Sequence, residues 1–204
     1  MNTMPKIFAY LLTVTLAVVM PAMAAGKTNG RQSTSVSTTS LSKLEKDTLL
    51  WMREEEKVAR DVYSTLYGVW NQSVFSNIAS SEQNHMDAIL KKIEKYRLED
   101  PALASIGEFS NDALQTLFDN LVSAGRQSYV DALIVGATIE DMDILDLMNA
   151  IEETNELDLK TTYQSLLEGS KNHLRAFVGL LRDQDINYEP QYITQELFEA
   201  ILDL

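Results

Sequence analysis

The 204-residue sequence contains no cysteine. Disulfides, zinc-thiolate sites, iron-sulfur clusters and thiol nucleophiles are thereby excluded together, and any chemistry has to use oxygen and nitrogen. Histidine is almost as scarce, with two residues, His85 and His173. Beyond Leu44 there are few helix breakers and no runs of strict apolar and polar alternation, which argues against β-sheet. Positive charge is also in short supply, since 17 Lys and Arg face 30 Asp and Glu for a net charge of −13. A chain this acidic repels nucleic acid and anionic lipid surfaces and attracts cations, although an acidic surface also serves solubility.

Near the start, Lys6 precedes an apolar run from Ile7 to Met20, followed by Pro21-Ala22-Met23-Ala24. The run is shorter than the roughly 20 residues of a membrane-spanning helix, and Ala22 and Ala24 fit the small-residue preference of a signal peptidase. Residues 1–24 are read as a signal peptide cleaved before Ala25, which places the mature chain in the periplasm or outside the cell without stable membrane insertion. Its removal takes away only Lys6 and moves the net charge from −13 to −14. Residues 25–43, dominated by Gly, Ser, Thr, Asn and Gln, read as a disordered tether. Residues 44–204 are long enough for one domain with its own core.

The apolar residues of that domain recur at helical spacing, so the predicted class is all-α. A first helix is expected over about 42–70, with Leu49, Met52, Glu56, Ala59, Tyr63, Leu66 and Trp70 on one stripe. A second is expected over 76–96, with Ile78, Glu82, His85, Ile89 and Ile93 in line. A long connection with Pro101 and Gly107 then carries a short helix that Ser110 can cap and Gly125 can stop. Helices over 128–154 and 159–181 and a short one over 194–202 complete the chain. Two hairpins joined by one long crossover make the four-helix bundle that ferritin-like folds use.

Each of the four core stripes carries polar residues near its middle: Glu56, then Glu82 with His85, then Glu140, then His173. A desolvated carboxylate without a partner costs several kcal/mol, so such groups are normally paired, protonated or bound to metal. Residues three apart share a helix face, which makes Glu82 and His85 one pair and Glu140 and Asp143 another. Four inward carboxylates, Glu56, Glu82, Glu140 and Asp143, with the imidazoles of His85 and His173, could hold two divalent cations. Oxygen and imidazole ligands suit iron, manganese or zinc. The competing arrangement is a buried ion-pair network, for example of Glu56 or Glu140 with Arg60 or Arg175. Tyr63 reads as a core residue or a hydrogen-bond donor to the site. Asn172 and Arg175 read as helix packing, and Glu54, Glu55, Glu152 and Glu153 as a solvated face.

The segment Glu56-Lys-Val-Ala59-Arg60-Asp-Val-Tyr63 resembles the first-helix Glu-x-x-Ala-Arg-x-x-Tyr of rubrerythrin-type proteins, and Glu82-Gln-Asn-His85 resembles their second-helix Glu-x-x-His. More closely, Glu55-Glu56-Lys57, Ile139-Glu140-Asp141-Met142-Asp143-Ile144 and Gly169-Ser170-Lys-Asn172-His173-Leu174-Arg175-Ala176-Phe177 resemble DUF2202, a family of ferritin-like domains. The resemblance spans about residues 44–192. It implies a ferritin-like bundle whose metal-ligand positions are Glu56, Glu82, His85, Glu140, Asp143 and His173. Ser170 departs from the rubrerythrin pattern, standing where a carboxylate would precede His173 by three residues, and Asp143 stands where a longer side chain would be.

Three functions are compatible with this sequence. One is a di-metal oxidoreductase acting on dioxygen or peroxide. Another is an exported metal-binding protein without catalysis. The third is a helical interaction module whose polar core is structural or vestigial.

Overall fold

Ser42 starts the first long helix by accepting the Glu45 N–H, while the Glu45 carboxylate accepts the Ser42 N–H, a reciprocal cap that satisfies two otherwise free donors. The molecule is described by a computed structural model covering residues 40–203. The predicted signal peptide and the tether as far as residue 39 lie outside the described residues. Residues 40–43, the end of the predicted tether, belong to the domain: Leu41 is buried against Leu49, Met52 and Ile93, because an apolar side chain beside a helix start gains by packing. Six helices follow, α1 (Lys43–Trp70), α2 (Ser73–Lys95), α3 (Asp112–Gly125), α4 (Tyr129–Glu153), α5 (Leu157–Arg182) and α6 (Gln195–Ile201). None among the described residues is long and apolar enough to cross a membrane.

The four long helices form two hairpins, α1 with α2 and α4 with α5, and these meet through α1 on α4 and α2 on α5. Asn71, in the left-handed conformation at φ 49°, turns α1 into α2 within two residues, so α2 begins at Ser73 and not at the expected Ser76. At α3 the cap is Asn111, whose side chain accepts from the N–H groups of Ala113 and Leu114. Ser110, the expected cap, instead donates to Glu54 Oε1 through both its N–H and its hydroxyl.

Along α1 every residue from Met52 to Ala59 is buried. This corrects the solvated face predicted for Glu54 and Glu55: the connection between α2 and α3 covers Glu54, which accepts from Ser110, and Glu55 is buried beside Asp143 and Asp146 of α4. Arg53 donates to both oxygens of Asp100 and to the Met86 carbonyl. Lys57 donates to Asp61 and to the carbonyls of Ser105 and Glu108, with its ammonium 4.2 Å from the Phe109 ring centre. Asp61 in turn accepts the Gly107 N–H. Glu152 and Glu153, at the far end of α4, are exposed as expected.

The apolar core is divided in two. One cluster gathers Tyr63, Leu66, Phe75, Ile78, Phe177 and Leu181 with α3 and the C-terminal segment. The other gathers Leu49, Met52, Ile89, Leu147, Tyr163 and Leu166. On α1, α2 and α5 the polar residues Glu56, Glu82, His85 and His173 fall between members of the two clusters, whereas on α4 Glu140 and Asp143 lie among members of the first.

Asp141, fully buried on the outer side of α4, accepts the Tyr188 hydroxyl at 2.9 Å and the N–H groups of Gln191, Tyr192 and Ile193. It fastens the C-terminal segment to the helices. Asp141→Asn replaces an acceptor-only group with one that presents donors to donors, and is expected to cost about 2–4 kcal/mol. Denaturant melts measure the loss, and limited proteolysis is expected to cut first around residues 186–194.

Candidate metal centre

Residues 82 and 85 lie one turn apart on α2, so both side chains enter the layer between the apolar clusters, and Glu56 from α1, Glu140 from α4 and His173 from α5 meet them there. Two triads result: Glu56, Glu82 and His85 form one, and Glu82, Glu140 and His173 the other, each with one ligand atom per residue within 4.8 Å of the other two. Glu82 is common to both. Its Oε2 lies 2.8 Å from Nδ1 of His85 and its Oε1 lies 2.8 Å from Nδ1 of His173. His85 Nδ1 also lies 3.2 Å from Glu56 Oε2, and His173 Nδ1 lies 3.4 Å from Glu140 Oε2. The two imidazole rings stack 5.5 Å apart.

The angles of these contacts carry information beyond their lengths. Glu82 Oε1 and His173 Nδ1 are buried and 2.8 Å apart, yet neither has a hydrogen-bond partner, so they do not point at one another. Glu56 Oε1 is orphaned in the same way. Buried polar atoms are almost always satisfied, and a set of unsatisfied ones facing a shared space is what a cation would complete.

Neighbouring groups orient the set from outside. Tyr63, fully buried, donates its hydroxyl to Glu140 Oε1 at 2.5 Å. Ser81 Oγ lies 2.9 Å from Nε2 of His173, leaving Nδ1 to face Glu82 and Glu140. Asp143 is buried in the same layer but belongs to neither triad; its Oδ2 accepts the Ser170 hydroxyl and its Oδ1 has no partner. The serine that replaces the expected carboxylate on α5 thus contacts Asp143 on α4.

Carboxyl groups outnumber imidazoles here, and most of them are pushed toward the neutral acid. Burial pushes Glu56 well above the usual carboxylate range, and the Asp143 charge adds to it. Burial likewise raises Glu140, helped by Glu82, and raises Asp143 to about 8, helped by Glu140. Glu82 goes the other way: burial opposes its ionisation, but contacts with His173 and His85 hold it at about 2. For both histidines burial favours the neutral ring, but the carboxylates outweigh it. Glu56 and Glu82 hold His85 at about 11, and Glu140 and Glu82 hold His173 at about 10.

Neither Arg60 nor Arg175 meets Glu56 or Glu140, and the buried ion pairs that form are those of the two imidazoles with Glu56, Glu82 and Glu140. Arg60 donates to Asp61 and Gln83, and Arg175 to the Ile201 carbonyl and Asn172, the packing role expected of that pair. Two features of the layer were missed. Glu55 is buried beside Asp146 and Asp143, and the i, i+3 step from Asp143 to Asp146 was the available signal. Gly169 sits in the interior of α5, where a glycine costs about 1 kcal/mol relative to alanine. A Cβ there would lie 2.5 Å from His85 Nε2 and 2.7 Å from its Cε1, so the absent side chain makes room for the imidazole.

An all-helical chain with a buried layer of carboxylates and two histidines is the class that fold and site define. The chain belongs to the family described as Uncharacterized protein domain (DUF2202), which matches residues 45–204. It is 52% identical over 163 residues to Uncharacterized protein MJ0754 of Methanocaldococcus jannaschii, covering 79% of this chain and 88% of that protein. The crystal structure of hypothetical protein MJ0754 from Methanococcus jannaschii is similar to it with a TM-score of 0.80 at 50% identity, covering 83% of this chain and 98% of the other.

Gly169→Ala is expected to cost about 1–3 kcal/mol, the usual price of overpacking, and to shift the His85 ring signals in an NMR spectrum. Gly179→Ala on the same helix, where nothing lies within 4 Å of the added Cβ, is the control. It is expected to stabilise by up to about 1 kcal/mol through helix propensity and to leave His85 unmoved.

Proposed function

We propose that the chain is an exported, ferritin-like metal-binding protein whose carboxylate and histidine layer holds two divalent ions, iron foremost and manganese or zinc as the alternatives. The observation that carries this is Glu82: each of its oxygens lies 2.8 Å from an imidazole nitrogen of a different triad, and Oε1 and its neighbour His173 Nδ1 are left without hydrogen bonds. One ion would be held by Glu56, His85 and an oxygen of Glu82, the other by Glu140, His173 and the second oxygen of Glu82. This donor set of oxygens and imidazoles fits those metals. The carboxylate excess fits a load of positive charge that no Lys or Arg supplies.

Two hairpins of long helices with the crossover between the second and third long helices support the ferritin-like assignment. The apolar run Ile7–Met20 with Ala22 and Ala24 supports export. When bound, a pair of redox-active ions would supply the electron transfer for turnover of dioxygen or peroxide, which is the oxidoreductase part of the proposal. The chain's own contribution is to exclude water, to fix Glu140 through Tyr63 and His173 through Ser81, and to keep the ligands apart until an ion replaces their protons.

The competing reading is a metal-free helical module in which Glu82 is satisfied by two imidazolium rings. The pH dependence of stability separates the two. Glu56, Glu140 and Asp143 are raised in the fold, as are His85 and His173. Groups with raised values contribute stability that is fully present below their unfolded values and is lost as pH rises through the folded ones. In chelator, the melting temperature is therefore expected to fall as pH rises from about 5 through the values of Asp143, His173 and His85 at about 8, about 10 and about 11. Metal binding needs deprotonated ligands, so the stabilisation by added ferrous or manganous ion is expected to grow over the same range, and the two curves to diverge. Elemental analysis of the loaded protein is expected to give about two ions per chain. Melts insensitive to metal at every pH would leave the helical module as the better account.

A further inference from the structure

Electrons for peroxide turnover need a way into the buried layer, and a chain without cysteine carries no iron-sulfur cluster to bring them. The side chains able to pass single electrons are then tyrosine and tryptophan. Tyr63 is fully buried and donates its hydroxyl to Glu140 Oε1 at 2.5 Å, while Glu140 Oε2 faces His173. A run of aromatic rings leads away from it. The Tyr63 ring centre lies 5.3 Å from that of Phe177, Phe177 lies 5.9 Å from Phe75, Phe75 lies 6.4 Å from Tyr129, and Tyr129 lies 6.4 Å from Trp70. These are the spacings of packed aromatic pairs, so each ring is in contact with the next. Tyr63, Phe177 and Phe75 are fully buried, whereas Tyr129 and Trp70 are half-buried. The run therefore joins a carboxylate of the layer to the protein surface.

Both ends of the run are anchored at glycines. A Cβ on Gly136, inside α4, would lie 2.5 Å from the Phe177 ring, and the Gly136 carbonyl lies 3.3 Å from the Tyr63 hydroxyl. A glycine inside a helix is unfavourable, and here it leaves room for the ring that links Tyr63 to Phe75. At the outer end, Trp70 Nε1 donates to the Gly125 carbonyl at 2.8 Å. Tyr67, 40% exposed and one turn back on α1, adds a flat apolar surface on the side of Trp70. The second tryptophan, Trp51, is half-buried on the same helix but lies outside the run.

We propose that this run is a one-electron relay, through which a small uncharged donor of the hydroquinone class, meeting the protein at Trp70, reduces the central layer. This rests on the metal-binding reading above. Reduction of one hydrogen peroxide to two waters takes two electrons and two protons. In each of two passes, Tyr63 gives one electron to the layer and its phenolic proton to Glu140 Oε1, and becomes a neutral phenoxyl radical. One electron then crosses from Trp70 by way of Tyr129, Phe75 and Phe177, the proton returns from Glu140, and the phenol is restored. The phenylalanines are not oxidised; they bridge Tyr63 to Tyr129. The indole radical cation left at Trp70, its N–H kept on the Gly125 carbonyl, takes one electron from the donor. Two hydroquinones each lose one electron and one proton to solvent, which balances the peroxide.

Ferrous-loaded protein, its iron content measured by elemental analysis, is mixed with hydrogen peroxide, freeze-quenched and read by electron paramagnetic resonance, with ring-deuterated tyrosine or tryptophan assigning the signals. Wild type is expected to give a tyrosyl signal followed by a tryptophanyl signal, and hydroquinone is expected to remove both. Trp70→Phe is expected to lose the tryptophanyl signal and, in hydroquinone, to hold the tyrosyl signal about tenfold longer. Tyr63→Phe is expected to give neither signal, and Trp51→Phe to match wild type. Trp70→Phe changes a half-buried residue at a helix end and carries the test if Tyr63→Phe disturbs the layer. A tryptophanyl signal that survives Trp70→Phe, an unchanged tyrosyl lifetime in that variant, or iron-loaded wild type without any protein radical would overturn the relay and leave the central site intact. A protein that takes up no iron would overturn the metal-binding reading and the relay with it.

Discussion

Glu82 offers one carboxylate oxygen to an imidazole on its own helix and the other to an imidazole from the opposite hairpin, and the layer is organised around that sharing. Because α1 with α2 and α4 with α5 each bring one histidine and one additional glutamate to it, the two hairpins are related through a single side chain. The apolar core cannot run through this point. It splits into two clusters, each packed on its own terms, and the polar layer between them contributes little hydrophobic stabilisation. The desolvation of the layer is offset in part by the contacts of Glu82 with both imidazoles and by the upward shift of Glu56, Glu140 and Asp143, which favours their neutral forms.

Around the layer, the polar residues have distinct physical roles that the residue types alone do not separate. Asp141 and Asp61 are as deeply buried as Glu82, yet each is saturated by hydrogen bonds and serves to hold a segment of chain. Glu56, Glu82 and Asp143 retain oxygens without partners. The difference between an acid that fastens and an acid that waits lies in this count of satisfied oxygens, since an unmet buried acceptor costs more than a made hydrogen bond returns.

Helical periodicity made most of the architecture legible. The long helices start and stop within a few residues of where caps, Gly and apolar spacing put them, and Glu56, Glu82, His85, Glu140 and His173 stood out because charge on a core stripe is costly. Glu54 was misread because an amphipathic helix normally keeps one face wet and nothing local announces that residues 96–111 will lie over it, and Glu55 because its burial comes from Asp143 and Asp146 on another helix. Gly169 was passed over for a related reason: its meaning is the position of an imidazole from another helix, a distance that no periodicity encodes. Asp143 falls between these cases, since its helix face was readable but its bond to Ser170 depends on the packing of α4 on α5.

The connection over α1 has a consequence for how this chain can change over time. Lys57 grips it by the carbonyls of Ser105 and Glu108, and Asp61 by the N–H of Gly107, so the clasp reads main chain and ignores most side-chain identities. Gly107 is the exception, with φ at 78° and the Phe118 ring 2.8 Å from where a Cβ would stand. Residues such as Leu103, Ala104 and Ile106 are therefore free to drift among relatives, whereas an insertion or deletion would carry the gripped carbonyls out of reach. Among homologues, this segment should be variable in letter and fixed in length.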